Sequence, residues 1–257
     1  MEPIEVERSE GGIVVLRMNH GKANAMDLEL CHALRQRLTE HAGADVRAIV
    51  LTGAGRIFSA GVDLIRLLDE APTYAAEFLP AMGAALYALF ALEKPVVAAV
   101  NGHAIAGGCI LACAADHRVL ARGPMRIGVP ELRVGVPFPT VALEIVRYAC
   151  APERLQRVVL GGETYAPDEA VELGLADEVV EAKRVHDRAL QVARVLGAVD
   201  PRVFAVTKRQ LRGRTLAHIG ATQYEHDPIV AELWKADASR ETIRRYVEQT
   251  FRKPAAG

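Results

Sequence analysis

Serine is scarce in this chain of 257 residues: Ser9, Ser59 and Ser239 occur, and none sits in a G-x-S-x-G turn. The sequence thus argues against a serine hydrolase built on a nucleophile elbow. Cysteine is almost as sparse, and Cys31, Cys109, Cys113 and Cys150 form no C-x-x-C pair. Neither a zinc site nor a disulfide framework is expected. They read as small buried hydrophobes in a reducing compartment, which points to the cytoplasm. The eight histidines show no H-E-x-x-H spacing, so no metal site is expected, and His103 reads as structural.

An excess of one charge is also lacking. The 31 Lys plus Arg stand against 32 Asp plus Glu, leaving a net charge of −1. No electrostatic footprint for nucleic acid or an anionic membrane arises. The N-terminal stretch MEPIEVERSEGG is acidic and has no apolar core of a signal peptide. Apolar runs such as residues 95–100 fall far short of the roughly 20 residues of a bilayer span.

What is present is apolar and small. Half the residues are hydrophobic (51%), enough for a sizeable core. Ile4 and Val6, then Ile13 and Val15, alternate about Gly11-Gly12 and predict a hairpin. Leu30, Leu34 and Leu38, with Cys31 beside them, predict a helix that Asp27 caps and that stops near Gly43. Residues 46–51 and 95–100 read as buried strands, residues 74–92 as an alanine-rich helix, and residues 118–121 as a further strand. Beyond Pro139 the pattern is helical, and no linker or repeat divides the chain.

Two segments share one design, a buried strand, a small-residue loop and a helix start. One runs from Ile49-Val50-Leu51 into Phe58-Ser59-Ala60-Gly61, the other from residues 97–100 into Ala106-Gly107-Gly108. Small residues let a ligand approach the backbone, and unpaired amides at helix starts can hold a developing oxyanion. Gly53-x-Gly55 resembles a dinucleotide fingerprint, but Phe58 stands where its third glycine belongs. Gly102-x4-Gly107-Gly108 lacks the Lys-Ser/Thr of a phosphate-binding loop.

An ordered set of motifs then stands out: His20-Gly21-Lys22-Ala23-Asn24-Ala25-Met26, Phe58-Ser59-Ala60-Gly61-Val62-Asp63-Leu64, Lys94-Pro95-Val96-Val97-Ala98-Ala99-Val100-Asn101-Gly102, Ala106-Gly107-Gly108-Cys109 and Val129-Pro130-Glu131-Leu132-x-x-Gly135. Together they resemble the enoyl-CoA hydratase/isomerase (crotonase) family, over at least residues 4–175. The resemblance implies an α/β fold of repeated ββα units (the ClpP/crotonase superhelix) with a helical C-terminal region. It fits one crotonase-like domain over residues 1–257, with a core at 1–195 and a helical extension at 196–257. It implies acyl-CoA thioester substrates, no separate cofactor, and trimers or dimers of trimers. It places oxyanion-hole amides at Ala60 and Gly107, and gives Lys22, Ala23, Asn24, Ala60, Gly61, Val62, Asp63, Gly107 and Gly108 as substrate-site residues. Asp63 has a simpler role open to it, in the first turn of a helix.

The family's hydratases use two glutamates, one directly after Gly-Gly-Cys and one in an x-Pro-Glu segment about twenty residues on. Here the first position is Ile110 and the second is Glu131. One carboxylate suffices to move a proton from the alpha to the gamma carbon, so the resemblance favours a Δ3,Δ2-enoyl-CoA isomerase with Glu131 as base. The following Gly135-Val136-Pro137-Phe138-Pro139 also resembles those isomerases. A one-glutamate hydratase or lyase and a non-catalytic acyl-CoA-binding scaffold are the alternatives. The basic pairs Arg244-Arg245 and Arg252-Lys253 read as a solvated helix face or a contact for CoA phosphates.

Overall fold

The main sheet is parallel beyond its first hairpin, and its central strands are buried at every residue, which is why they read as unbroken apolar runs. The computed structural model describes residues 2–70 and 72–251; Arg252 and Lys253 lie outside them. The expected hairpin is β1 (Ile4–Ser9) and β2 (Ile13–Met18). On β1, Glu5, Glu7 and Arg8 are exposed, which keeps this edge from pairing with other chains. The helix α1 (Leu28–Glu40) follows, with Asp27 as its cap: the carboxylate accepts from the Leu30 amide at 2.9 Å.

The strand β3 (Ala48–Gly53) pairs in parallel with β2 and is buried throughout. A turn leads to the short β4 (Ile57–Ser59), α2 (Leu64–Asp69) and α3 (Pro72–Ala91). The segment Thr73–Ala91 is long and apolar enough to cross a membrane, by length and composition alone. The sequence reading had credited no run of that length. In the fold α3 packs on α1, with Phe78, Ala85, Leu86, Leu89 and Phe90 fully buried.

A second strand–loop–helix unit comes next: β5 (Val96–Val100), β6 (His103–Ile105) and α4 (Gly107–Cys113). Then come β7 (His117–Arg122), β8 (Ile127–Gly128), α5 (Glu131–Val134), α6 (Thr140–Ala149) and α7 (Leu155–Gly161). After these, β9 (Thr164–Tyr165), α8 (Pro167–Glu172), β10 (Glu178–Glu181) and α9 (Val185–Gly197) complete the part before the long helices. The main sheet has the order β1-β2-β3-β5-β7-β10, and a smaller one the order β4-β6-β8-β9.

Four strands depart from the sequence reading. The two small-residue loops contain β4 and β6, which pair with each other, and the helical stretch beyond Pro139 is interrupted by β9 and by β10, which pairs in parallel with β7. Each is too short, at two to four residues, to carry a periodic signal of its own.

The chain ends in α10 (Pro201–Lys235) and α11 (Asp237–Phe251). A buried charge cluster ties α10 to the sheet. Lys208 donates to Asp116 at 2.7 Å, and Arg212 donates to the other oxygen of Asp116 at 2.8 Å. Asp116 also accepts from the Val96 amide at 2.8 Å, at the start of β5. Every member has a partner, which is the condition under which buried charge is tolerated.

Candidate active site

The two strand–loop–helix units lie side by side because β4 and β6 pair in parallel. Their loops meet so closely that side chains are shut out. A Cβ at Gly108 would stand 2.3 Å from the Ser59 carbonyl oxygen, and one at Gly61, which has a φ of +80°, 2.5 Å from that of Ile105. The same added carbon on Gly61 would lie 3.1 Å from the Gly107 nitrogen. A Cβ on Gly107 would lie 3.8 Å from the Val62 nitrogen. The Gly107 and Val62 amides are thus neighbours.

Which amides remain available is decided by what each already bonds. The Ala60 amide donates to the Ala23 carbonyl at 3.0 Å, so it is not free to hold a ligand oxygen, and the expected role of Ala60 as a donor is corrected. The Gly61 amide donates to the Ser59 hydroxyl at 3.2 Å, and the Asp63 amide donates to the Met26 carbonyl at 3.0 Å. Val62, between them, has no acceptor among the described residues. Gly107 is the first residue of α4, where an amide has no intrahelical partner. The available pair is Val62 and Gly107.

Several other expected residues have a scaffold role. Asn24, at φ 48°, takes the left-handed conformation that asparagine tolerates. Its side chain donates to the Ile57 and Phe58 carbonyls at 3.0 and 3.2 Å and accepts from the His20 amide at 3.0 Å. Its carbonyl receives the Ser59 hydroxyl at 2.7 Å. Asn24 and Ala23 therefore clamp the first loop in place. Asp63 caps α2, accepting from the Arg66 amide at 2.9 Å. Lys22 is exposed on the same loop. Arg244 pairs with Glu241 on its own helix, as a solvated face would.

Ala106, which aims the Gly107 amide, has φ 51° and ψ −123°, a conformation that costs a residue with a side chain about 1–3 kcal/mol. Ala106→Gly is therefore expected to stabilise the protein by about 1 kcal/mol, roughly 2 °C in Tm, with unchanged turnover. Thermal unfolding checks it, and a lower Tm would contradict the strain.

Glu131 opens α5 with 6% of its surface exposed, and its Oε2 has no hydrogen-bond partner among the described residues. Burial pushes its carboxyl up to about 8, against the smaller opposing effect of a backbone hydrogen bond. Its charge reaches α4: the Cys109 thiol is held well above its usual range by its hydrogen bond with Cys113, by burial, and by the charge of Cys113 and then Glu131. The structure thus gathers Val62, Gly107, Gly108, Cys109 and Glu131. Ile110, 2% exposed, lies on the same turn of α4. Two cavities, of about 740 and 630 Å³, lie elsewhere, the second between α3, α6 and α10. Among the described residues no group of three or more His, Cys, Asp or Glu could hold a metal ion.

The profile of the family described as Enoyl-CoA hydratase/isomerase matches residues 8–254. Mouse enoyl-CoA delta isomerase 1, mitochondrial, is 26% identical over 245 residues, covering 94% of this chain and 85% of that one. Carnitinyl-CoA dehydratase of Salmonella paratyphi A is 32% identical over 205 residues, covering 79% and 77%. The crystal structure of human mitochondrial delta3-delta2-enoyl-CoA isomerase superposes with a TM-score of 0.93, at 24% identity, over 98% of this chain and 100% of that one; this likeness carries the fold. The matched span takes in both strand–loop–helix units and Glu131, and the fold agrees from the hairpin to the final helices: the chain belongs to the enoyl-CoA hydratase/isomerase family.

Proposed function

We propose that this enzyme is a Δ3,Δ2-enoyl-CoA isomerase in which Glu131 is the shuttling base. The observation that carries the reading is a single buried carboxylate with an unpartnered oxygen, while the position that hydratases of the family fill with glutamate is Ile110. The thioester carbonyl oxygen of a 3-enoyl-CoA would accept from the Val62 and Gly107 amides. Glu131 takes a proton from C2; the C–H pair forms a C1–C2 double bond as charge moves to that oxygen. The resulting dienolate takes the same proton back at C4, leaving a 2-enoyl thioester and a carboxylate at Glu131. No water and no second acid enter the balance. Amides fixed in advance at the developing oxyanion supply the largest share of such catalysis.

Burial suits this task in two ways. A base whose pKa lies near the working pH gives and takes protons readily. An apolar wall at Ile110 leaves no group beside the dienolate to hold an attacking water. The second reading is a lyase that works with one carboxylate, favoured by the 32% identity with a carnitinyl-CoA dehydratase.

Purified protein given 3-enoyl-CoA and 2-enoyl-CoA in parallel is expected to move the double bond and add no water. Rapid hydration without migration would sink the isomerase reading, and acyl-CoA binding without turnover of either would leave a scaffold. By the family resemblance we further expect trimers or dimers of trimers. The buried free thiols suit a reducing compartment, and we place the enzyme in the cytoplasm. The mitochondrial location of the mouse relative is that protein's own.

A further inference from the structure

The final helix touches both halves of the site. Val62 stands two residues before α2, and the far end of that helix is held by α11. Arg240 donates through its two terminal nitrogens to the Leu67 carbonyl at 2.9 Å and the Leu68 carbonyl at 2.7 Å. These belong to the last turn of α2, where carbonyls have no intrahelical donor. No other side chain among the described residues donates to these two carbonyls. Two residues on, Thr242 lies against α5: a Cβ on Gly135, its left-handed cap, would meet Thr242 Cγ2 at 2.6 Å. The Gly135 and Val136 amides both donate to the Glu131 carbonyl, at 2.9 and 3.0 Å. Between the two contacts Ile243 is fully buried, so α11 has one seating on the core. Tyr246 and Val247 pack on the core behind it.

We propose that α11 is a brace that sets the gap between the Val62 amide and the Glu131 carboxylate, and that Arg240 is a positioning residue for the reaction, acting on Val62 through α2. The proposal rests on the reading of Val62 as an oxyanion donor and Glu131 as base. A helix of six residues, fastened at its far end by one guanidinium, transmits any loosening of that end to its first turn. The donor lies just before α2 and the base on α5, and α11 touches both helices. A charged guanidinium fork suits the job, since it satisfies two adjacent carbonyls at once.

The test is Arg240→Met in the full chain, with Arg240→Lys as the conservative variant. The readout is exchange of deuterium out of C2 of 3-enoyl-CoA labelled at that carbon, to C4 or to solvent, followed by NMR beside steady-state turnover. This C2 exchange reports proton removal whatever product follows. Arg240→Met is expected to lower the exchange rate and kcat about 10- to 100-fold, the cost of misplacing a reacting group by about 1 Å. KM should move less than about threefold, because a group used in the transition state is lost rather than uniform binding. Arg240→Lys is expected to recover part of the loss by reaching one carbonyl. If both variants keep wild-type exchange and differ only in Tm, Arg240 is a structural tie and the inference falls. If the wild-type protein itself moves no deuterium out of C2, it is the reading of the site that fails. Should Arg240→Met not fold, Arg240→Lys alone decides: full exchange with a lowered Tm would overturn the proposal.

Discussion

Glu131→Gln is expected to lower turnover by about 10⁴-fold while acyl-CoA binding persists, because one group performs both proton transfers. The amide keeps the carboxylate's shape, so the Val62 and Gly107 amides and the pocket remain; what is lost is the proton acceptor. Wild-type rate in this variant would show that the base lies elsewhere. The same residue sets the pH dependence. The base must be unprotonated to begin, so kcat/KM should rise with pH and level off above about 8. Stability runs the other way. The folded pKa of about 8 lies above the ordinary 4.5, so this group's contribution is fully present below about 4.5 and lost as pH rises through about 8. At 1.36 kcal/mol per unit, the swing approaches about 5 kcal/mol as an upper bound. Glu131→Gln does not titrate. Denaturant unfolding at pH 5 and pH 9 should therefore show its stability relative to wild type growing at the higher pH, and an equal difference at both would contradict the buried carboxylate.

Ile110→Glu is expected to change the reaction as well as its rate. The side chain is 2% exposed on the first turn of α4, so a carboxylate there is buried close to the Gly107 amide. Burying an unpaired acid costs several kcal/mol and lowers Tm accordingly. Two carboxyls sharing a site also raise one another's pKa, so double-bond migration should fall. In exchange, a second acid can hold water at the far carbon, and hydration of 2-enoyl-CoA is expected to appear about 100-fold above wild type, at the low end of acid–base catalysis. Ile110→Gln is the control, with similar size and no acid. Equal hydration by both variants, or by neither, would show that position 110 does not select the reaction.

Much of this site was legible in the sequence, and the illegible part has a definite physical origin. Asp27 could be read as a cap, and Asp63 as an acid at a helix start, because both roles depend on residues two or three away. The two small-residue loops could be read because close backbone approach demands glycine at Gly61 and Gly108, whatever the distant fold. The choice of Ala60 as donor failed for the opposite reason. Whether its amide is free depends on the Ala23 carbonyl, placed there by the clamp at Asn24. Nothing within the local motif distinguishes positions 60 and 62; only the pairing of Met26 with the Val62 segment does. Strand β10 was hidden likewise, since Glu178–Glu181 is extended because β7 is beside it. Arg240 carried no signal at all: an arginine on an exposed-looking helix of balanced charge gains its meaning from Leu67 and Leu68, more than 170 positions earlier.

The available donors at Val62 and Gly107 are main-chain atoms, and that has an evolutionary consequence. Point mutation replaces side chains and leaves a peptide N–H where it was, while the positions that aim these amides are closed to larger residues by the neighbouring backbone. On the reading proposed above, grip on an enolate is the part of the site least open to point mutation. New reactions would then be reached by exchanging side chains around it, Ile110 and Glu131 foremost, with no need to rebuild the means of making the enolate.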